Sequence, residues 1–225
     1  CSKLTTLPIL NNILFKTEKN FLVLAAPDLE IGVKWRALTK IEEEGEAVLP
    51  SQTTSSLVGL FPNKPVKINS KNLQVSFECD NSQSNFKSLN PEDFPIIPLN
   101  TDGEYLKFSS RDFCQGLSQV VGLSSPSNAK PEISGVYFLF QDNLIKMVAT
   151  DSFRLGEKTI YLEKKEGNVK NQSLILPQRA ARELINIFGE SGGDLKIYFS
   201  PNQIVFESQA EEPTLPQVQF VSRLI

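Results

Sequence analysis

The chain aligns with itself. Pro8 set against Pro131 opens an offset of 123 residues that holds without a gap to Gly32 and Leu155. Five of those 25 pairs are identical: Pro8/Pro131, Phe15/Phe138, Asn20/Asn143, Ala26/Ala149 and Asp28/Asp151. Chance identity of roughly 6% per pair would give one or two. Other pairs match in type, among them Leu10/Ile133, Ile13/Val136 and Leu24/Met147. Val48-Leu49-Pro50 then pairs with Ile175-Leu176-Pro177, and Leu57, Val58, Leu60 and Phe61 pair with Leu184, Ile185, Ile187 and Phe188, all at offset 127. Val66-Lys67-Ile68 follows against Leu195-Lys196-Ile197. A slowly drifting offset is what loop insertions produce. The repeat predicts two successive copies of one fold, each about 120 residues long.

The second copy shows its elements more clearly. Ser109 and Asp112 have the spacing of a helix-capping pair. Phe113, Leu117, Val120 and Val121 follow at i, i+4, i+7 and i+8, one apolar helix face. Gly122 and the cluster Ser124–Ser127 end it. Strand-like runs come next: 135–140, 144–149 and 152–161, with Asp142-Asn143 and Asp151 at the reversals. Pro177 opens a second helix whose buried stripe is Ala181, Leu184, Ile185 and Phe188, and Gly189 stops it. Two strands around Ser200-Pro201-Asn202 close the unit. Helix, strands, helix, strands with antiparallel hairpins predicts α+β rather than alternating βαβ.

Composition removes several chemistries. The 225 residues include no His, which excludes Ser-His and Cys-His nucleophile pairs, HExxH zinc sites and histidine acid–base catalysis. Cys1, Cys79 and Cys114 are odd in number and far apart, forming neither a CxxC site nor a disulfide framework. A reducing, cytoplasmic compartment fits that pattern. No apolar run approaches the roughly 20 residues of a membrane helix. No phosphate-binding glycine loop occurs, and no cofactor or metal is expected. A first residue of Cys1 reads either as a lipidated terminus or as a piece cut from a longer chain. The helix-like stretch 109–123 ahead of the second copy has no counterpart ahead of the first, and this favours the piece.

Two sets of side chains could carry chemistry. Asp28, Glu30 and Asp151 near strand ends could serve a carboxylate-dependent hydrolase. Because Asp28 and Asp151 are repeat equivalents rather than one converging set, a turn-capping Asp in each copy is the preferred reading. Arg111, Arg179 and Arg182 lie on polar helix faces, which could follow a phosphate backbone without reading bases. An ordinary solvated helix face is the competing reading. A net charge of −3 speaks weakly against nucleic acid.

Six segments in order complete the pattern: 7–14 (LPILNNIL), 28–32 (DLEIG), 92–95 (EDFP), 130–136 (KPEISGV), 149–155 (ATDSFRL) and 222–225 (SRLI). With them the chain resembles the bacterial sliding clamps, the β subunits of DNA polymerase III. The resemblance implies tandem clamp folds with helices on one side of antiparallel sheets. It implies a first domain at 1–98 lacking its N-terminal helix, a linker at 99–106, a second domain at 107–225 lacking its C-terminal end, and no third domain. It implies a non-catalytic ring around double-stranded DNA that tethers the replicative polymerase. The expected partners are the DNA polymerase III catalytic subunit, the clamp loader and other clamp-binding replication and repair proteins, with a homodimer in the full-length parent and no membrane.

Residue by residue, the resemblance places Lys3, Arg111, Lys130, Arg179 and Arg182 at DNA. It places Ile133, Thr150, Ser152, Phe153, Arg154 and Leu155 on the wall of a pocket for partner peptides. Phe153 stands where such clamps usually carry His, and Lys130 replaces a common Arg. The first copy's helix, 51–61, has no positive charge. A lipid-anchored periplasmic binding module starting at Cys1 is the alternative reading.

Overall fold

In the computed structural model the described residues are 8–127, 129–141, 143–162, 166–190, 192–209 and 215–225. They divide into two compact units, 8–97 with 215–216, and 98–209 with 217–225. The fold class is α+β, as the sequence implies.

In the first unit a 3₁₀ turn, Pro8–Asn11, leads into β1 (Asn12–Glu18), β2 (Phe21–Pro27), β3 (Ile31–Leu38) and β4 (Glu46–Pro50). These four are hydrogen-bonded in the order β3-β2-β1-β4. Helix α1 (Ser51–Val58) follows, then a meander of β5 (Lys67–Lys71), β6 (Gln74–Cys79) and β7 (Ser82–Lys87). Alternation sets the inner face. Val75, Phe77 and Cys79 of β6 are buried, and the residues between them are not. Phe77 meets Phe15 and Phe86 edge to face, at 6.0 and 5.5 Å between ring centres.

The second unit begins with β8 (Tyr105–Ser109) and α2 (Ser110–Val120). Then come β9 (Gly135–Gln141), β10 (Leu144–Thr150), β11 (Leu155–Tyr161), the short β12 (Glu166–Gly167), β13 (Gln172–Pro177) and α3 (Gln178–Phe188). The unit ends in β14 (Asp194–Ser200), β15 (Gln203–Gln209) and β16 (Gln217–Arg223). One sheet runs β11-β10-β9-β13, and β12-β8-β14-β15-β16 are joined in a second.

The repeat is exact at the level of strand register. Leu14 opposite Ala25 becomes Tyr137 opposite Val148, and Pro27 opposite Gly32 becomes Thr150 opposite Leu155. Asn12 opposite Pro50 becomes Gly135 opposite Pro177. A slip of one residue would turn every apolar side chain to the wrong face, so the shared pattern of buried positions enforces a shared register.

Helices α2 and α3 lie antiparallel over the inner face of the second unit. At one end the Ser110 hydroxyl donates to the Phe188 carbonyl at 3.0 Å, and at the other Gln178 of α3 reaches the residues that follow α2. Phe113, Leu117 and Val120 of α2 are buried with Ala180, Ala181, Leu184 and Phe188 of α3. Beneath them a run of rings joins Phe108, Phe113, Phe138 and Phe140, with centres 4.9 to 5.7 Å apart. Gly116 lets α2 settle onto β11, since a Cβ there would lie 2.7 Å from Ile160 Cδ1.

The differences from the sequence reading are largest at three boundaries. Helix α1 ends at Val58 rather than Phe61, because Gly59 and Leu60 close a turn on Ser55 and Leu57, and Leu60 is 82% exposed with no burial to hold another helical turn. Strand β11 starts at Leu155 rather than Ser152, because residues 151–154 form a turn. Strand β8 takes in Tyr105 and Leu106, the last two residues of the stretch read as linker. Asp142, read as a turn residue, lies outside the described residues.

Candidate nucleic-acid interface

Every cationic residue on the three described α-helices is exposed: Arg111 on α2, and Arg179 and Arg182 on α3. The apolar stripe of each helix faces the sheet, so its polar side is left outward. Arg179, Arg182 and Asn186 share one exposed face at i, i+3 and i+7. The antiparallel packing puts Arg111 beside the C-terminal end of α3. Arg179 lies nine residues away along that helix, about 14 Å at 1.5 Å per residue. Lys130 is exposed on the loop that leaves α2 and enters β9, at the Arg179 end. The basic groups therefore sit at both ends of the helix pair. Lys3 lies outside the described residues.

Arg111 and Arg179 each occupy the second position of their helix. A cation there works against the helix dipole, which favours anions at an N-terminus. Asp112 in the first turn of α2 offsets this for Arg111, whereas the first turn of α3 has no acidic residue. With no acidic residue beside them in that turn, Arg179 and Arg182 make the start of α3 a locally positive surface suited to phosphate oxygens.

Of the residues assigned to peptide capture, Thr150 and Leu155 lie on the face of the β11-β10-β9-β13 sheet away from the helices, and Ser152, Phe153 and Arg154 lie in the turn that joins their strands. Thr150 and Leu155 face each other across β10 and β11, on the face opposite the one where Gly156 meets Leu123 and Val120. Asp151 closes the turn between them. Its Oδ1 accepts the backbone N–H groups of Phe153 and Arg154, each at 3.0 Å, and its Oδ2 accepts Arg154 Nε at 3.1 Å. Thr150 Oγ1 donates to the Arg154 carbonyl at 2.7 Å. Ser152 holds a φ of 77° at the apex. These bonds leave Phe153 97% exposed beside Leu155 at 66%, two apolar side chains held out to solvent. Ile133, half-buried, stands apart on the 3₁₀ turn Pro131–Ile133 that enters β9 at the same sheet end.

Asp28 and Asp151 act as turn closures. Asp28 Oδ1 accepts the N–H groups of Glu30 and Ile31, both at 2.8 Å, as Asp151 does in its own copy. The bonds from Phe153 and Arg154 backbone amides, with help from the Arg154 side chain, hold the Asp151 carboxyl below the usual carboxylate range. Cys114 is buried against the Leu184 carbonyl, and burial pushes its thiol up to about 11, which suits a core residue and not a nucleophile. Among the described residues no group of three or more His, Cys, Asp or Glu is placed to hold a metal ion. No described helix is long and apolar enough to cross a membrane.

One residue at this surface had no sequence signal. Gln178, beside Arg179, sends its side-chain amide to Ser124 Oγ at 2.8 Å and to the Val121 and Ser124 carbonyls at 3.2 Å. Nothing in a single Gln before an apolar run announces a partner 54 residues away.

Residues 1–98 match the N-terminal domain of the DNA polymerase III beta subunit, and residues 109–225 match its central domain. The beta sliding clamp of Staphylococcus epidermidis is 29% identical across 98% of this chain and 58% of its own length. That of Staphylococcus aureus is 28% identical over the same shares. The crystal structure of the Bacillus subtilis DNA polymerase sliding clamp superimposes with a TM-score of 0.87 at 22% identity, over the whole of this chain and 59% of that one. The beta subunit from the DNA polymerase of Streptococcus pyogenes gives 0.87 at 20%, over 99% and 58%. These structures share the fold. The chain spans under three fifths of the length of the relatives it matches, and it belongs to the DNA polymerase III beta subunit family.

Proposed function

We propose that the chain supplies two repeated domains of a ring-shaped sliding clamp. The ring encircles duplex DNA without catalysing a reaction and tethers the replicative polymerase in the cytoplasm. The carrying observation is the family match across both copies, joined to a helix surface whose cations are all exposed. A clamp that travels along DNA must hold phosphates and ignore bases, and arginines on a smooth helix face do this. Arg111, Lys130, Arg179 and Arg182 make that contact, with Lys3 as a further contributor. The overall negative charge is compatible with it, because the local field at the helix face decides the encounter and not the sum over the chain.

The opposite face serves partners. Thr150, Ser152, Phe153, Arg154 and Leu155, with Ile133, form one wall for a short hydrophobic peptide from the polymerase catalytic subunit, the clamp loader or another replication or repair protein. The parent protein closes as a homodimer. The comparisons lend no support to the lipid-anchored module starting at Cys1.

Binding to a short mixed-sequence duplex, followed from about 50 to 200 mM salt, tests the DNA contact. Arg179→Ala combined with Arg182→Ala should weaken binding regardless of sequence and make the slope of log affinity against log salt shallower by up to ~1.8, at ~0.9 per phosphate. An unchanged slope would remove α3 from the interface.

A further inference from the structure

We infer that Gln178 is a positioning residue for the DNA-facing arginines, an amide tether that fixes the first turn of α3 against the end of α2. The inference rests on the clamp reading above and adds a residue to it.

The need for a tether comes from how α3 begins. Its N-cap is Pro177, which has no side chain able to accept from the first-turn N–H groups, and no side-chain cap bond is made there. Helix α2 is capped instead by Ser109, whose hydroxyl accepts Asp112 N–H at 3.3 Å. An uncapped first turn frays readily, and Arg179 sits in it. Gln178 holds this turn from two sides. Its backbone N–H donates to the Ser134 carbonyl at 3.1 Å, anchoring it to the turn ahead of β9. Its side-chain amide donates to Ser124 Oγ at 2.8 Å, with the carbonyls of Val121 and Ser124 at 3.2 Å.

The acceptors are themselves fixed. Ser124 is 3% exposed, and its hydroxyl donates to the Val121 carbonyl at 2.8 Å. Val121 follows α2 directly and opens a 3₁₀ turn, Val121–Leu123, in which its carbonyl also accepts the Ser124 backbone N–H at 3.4 Å. One amide thus ties the uncapped start of α3 to the fixed turn that ends α2, in a half-buried place where an unpaired polar group is costly. Arg179 is covalently next to it, and Arg182 lies one turn on. With the tether in place, both guanidinium groups start from a backbone locked to α2, which carries Arg111. The basic groups then keep a constant spacing, as simultaneous phosphate contacts require.

Gln178→Met keeps the length and the helix preference of the side chain and removes its donors. The 225-residue chain carrying it is compared with the unchanged chain and with Arg179→Ala/Arg182→Ala on the short duplex. The expected result is a several-fold loss of affinity and a slope shallower by ~0.9, one phosphate contact. Simple destabilisation lowers the folded fraction but leaves the slope of the folded molecules alone. A wild-type slope for Gln178→Met, with a shallower slope for the double arginine variant, overturns the tether and leaves the clamp reading standing. A wild-type slope for the double arginine variant removes α3 from the DNA contact, and with it the part of the reading on which the tether rests. If Gln178→Met does not fold, Ser124→Ala decides: it removes the shortest acceptor and should shift the slope in the same direction by less, and no shift overturns the proposal.

Discussion

Helices α1 and α3 hold equivalent places in two copies of one fold and share almost no surface chemistry. Both follow a strand ending in Pro, at Pro50 and Pro177, and both begin without a side-chain cap. Helix α1 has eight residues and buries Thr54, whereas α3 has eleven and buries Ala180, Ala181, Leu184 and Phe188. At offset 127 the exposed Gln52 and Ser55 stand where α3 has Arg179 and Arg182. The strands beneath keep one register throughout. The sheet therefore sets the fold and leaves the outer helix face free to differ, which is where a clamp can take up charge without disturbing its frame.

The largest effect that sharpens this contrast lies under the helices. Phe15 and Phe138 are identical residues at equivalent positions. Phe138 is 1% exposed and stacked between Phe113 and Phe140, whereas Phe15 is half-buried against Phe77. Phe138→Ala should cost about 3–5 kcal/mol, in the range for a filled core, and Phe15→Ala about 1–2. Urea unfolding of the two variants checks the order. Equal losses would mean that the first copy has as complete a core as the second.

A smaller effect tests the surface. Gln52→Arg with Ser55→Arg gives α1 the two cations that α3 has. If α1 presents this face to duplex DNA as α3 does, affinity rises and the salt slope steepens by up to ~1.8. A slope that stays as it was would show that the two helices are equivalent in the fold and not in the interface.

Much of this was legible in the residues, and what was not has a physical reason. The repeat, the antiparallel hairpins and the turn-closing Asp28 and Asp151 could be read because each depends on local spacing. The full extent of α1 could not, because the apolar Leu60 and Phe61 continue the pattern that Leu57 and Val58 start, and only the exposure of Leu60 shows the helix has stopped. Strand β8 is five residues long beside Asp102 and Gly103, and it is held by pairing with β14, nearly ninety residues on. The arginines of the candidate interface were visible as an exposed face, and the resemblance gave them a role. Gln178 was invisible, because its partners come from packing and not from neighbouring sequence.

The smallest effect separates the helices at one buried atom. Thr54 is 3% exposed, and its hydroxyl has no hydrogen-bond partner among the described residues, whereas its equivalent Ala181 is fully buried and has nothing to satisfy. A buried hydroxyl without a partner costs about 1–3 kcal/mol. Thr54→Val removes that oxygen at nearly constant volume and with the same branching, so it should stabilise the protein by about 1 kcal/mol or more. Thr54→Ala removes the oxygen and also a methyl group, forfeiting about 0.8 kcal/mol of burial, and gains roughly 0.5 kcal/mol in helix preference. It should therefore gain no more than Thr54→Val. Midpoints of urea unfolding at unchanged m-value give the comparison. Destabilisation by both variants would mean that the hydroxyl is bonded in solution. The first copy would then use at this position a polar contact that the second replaced with apolar packing.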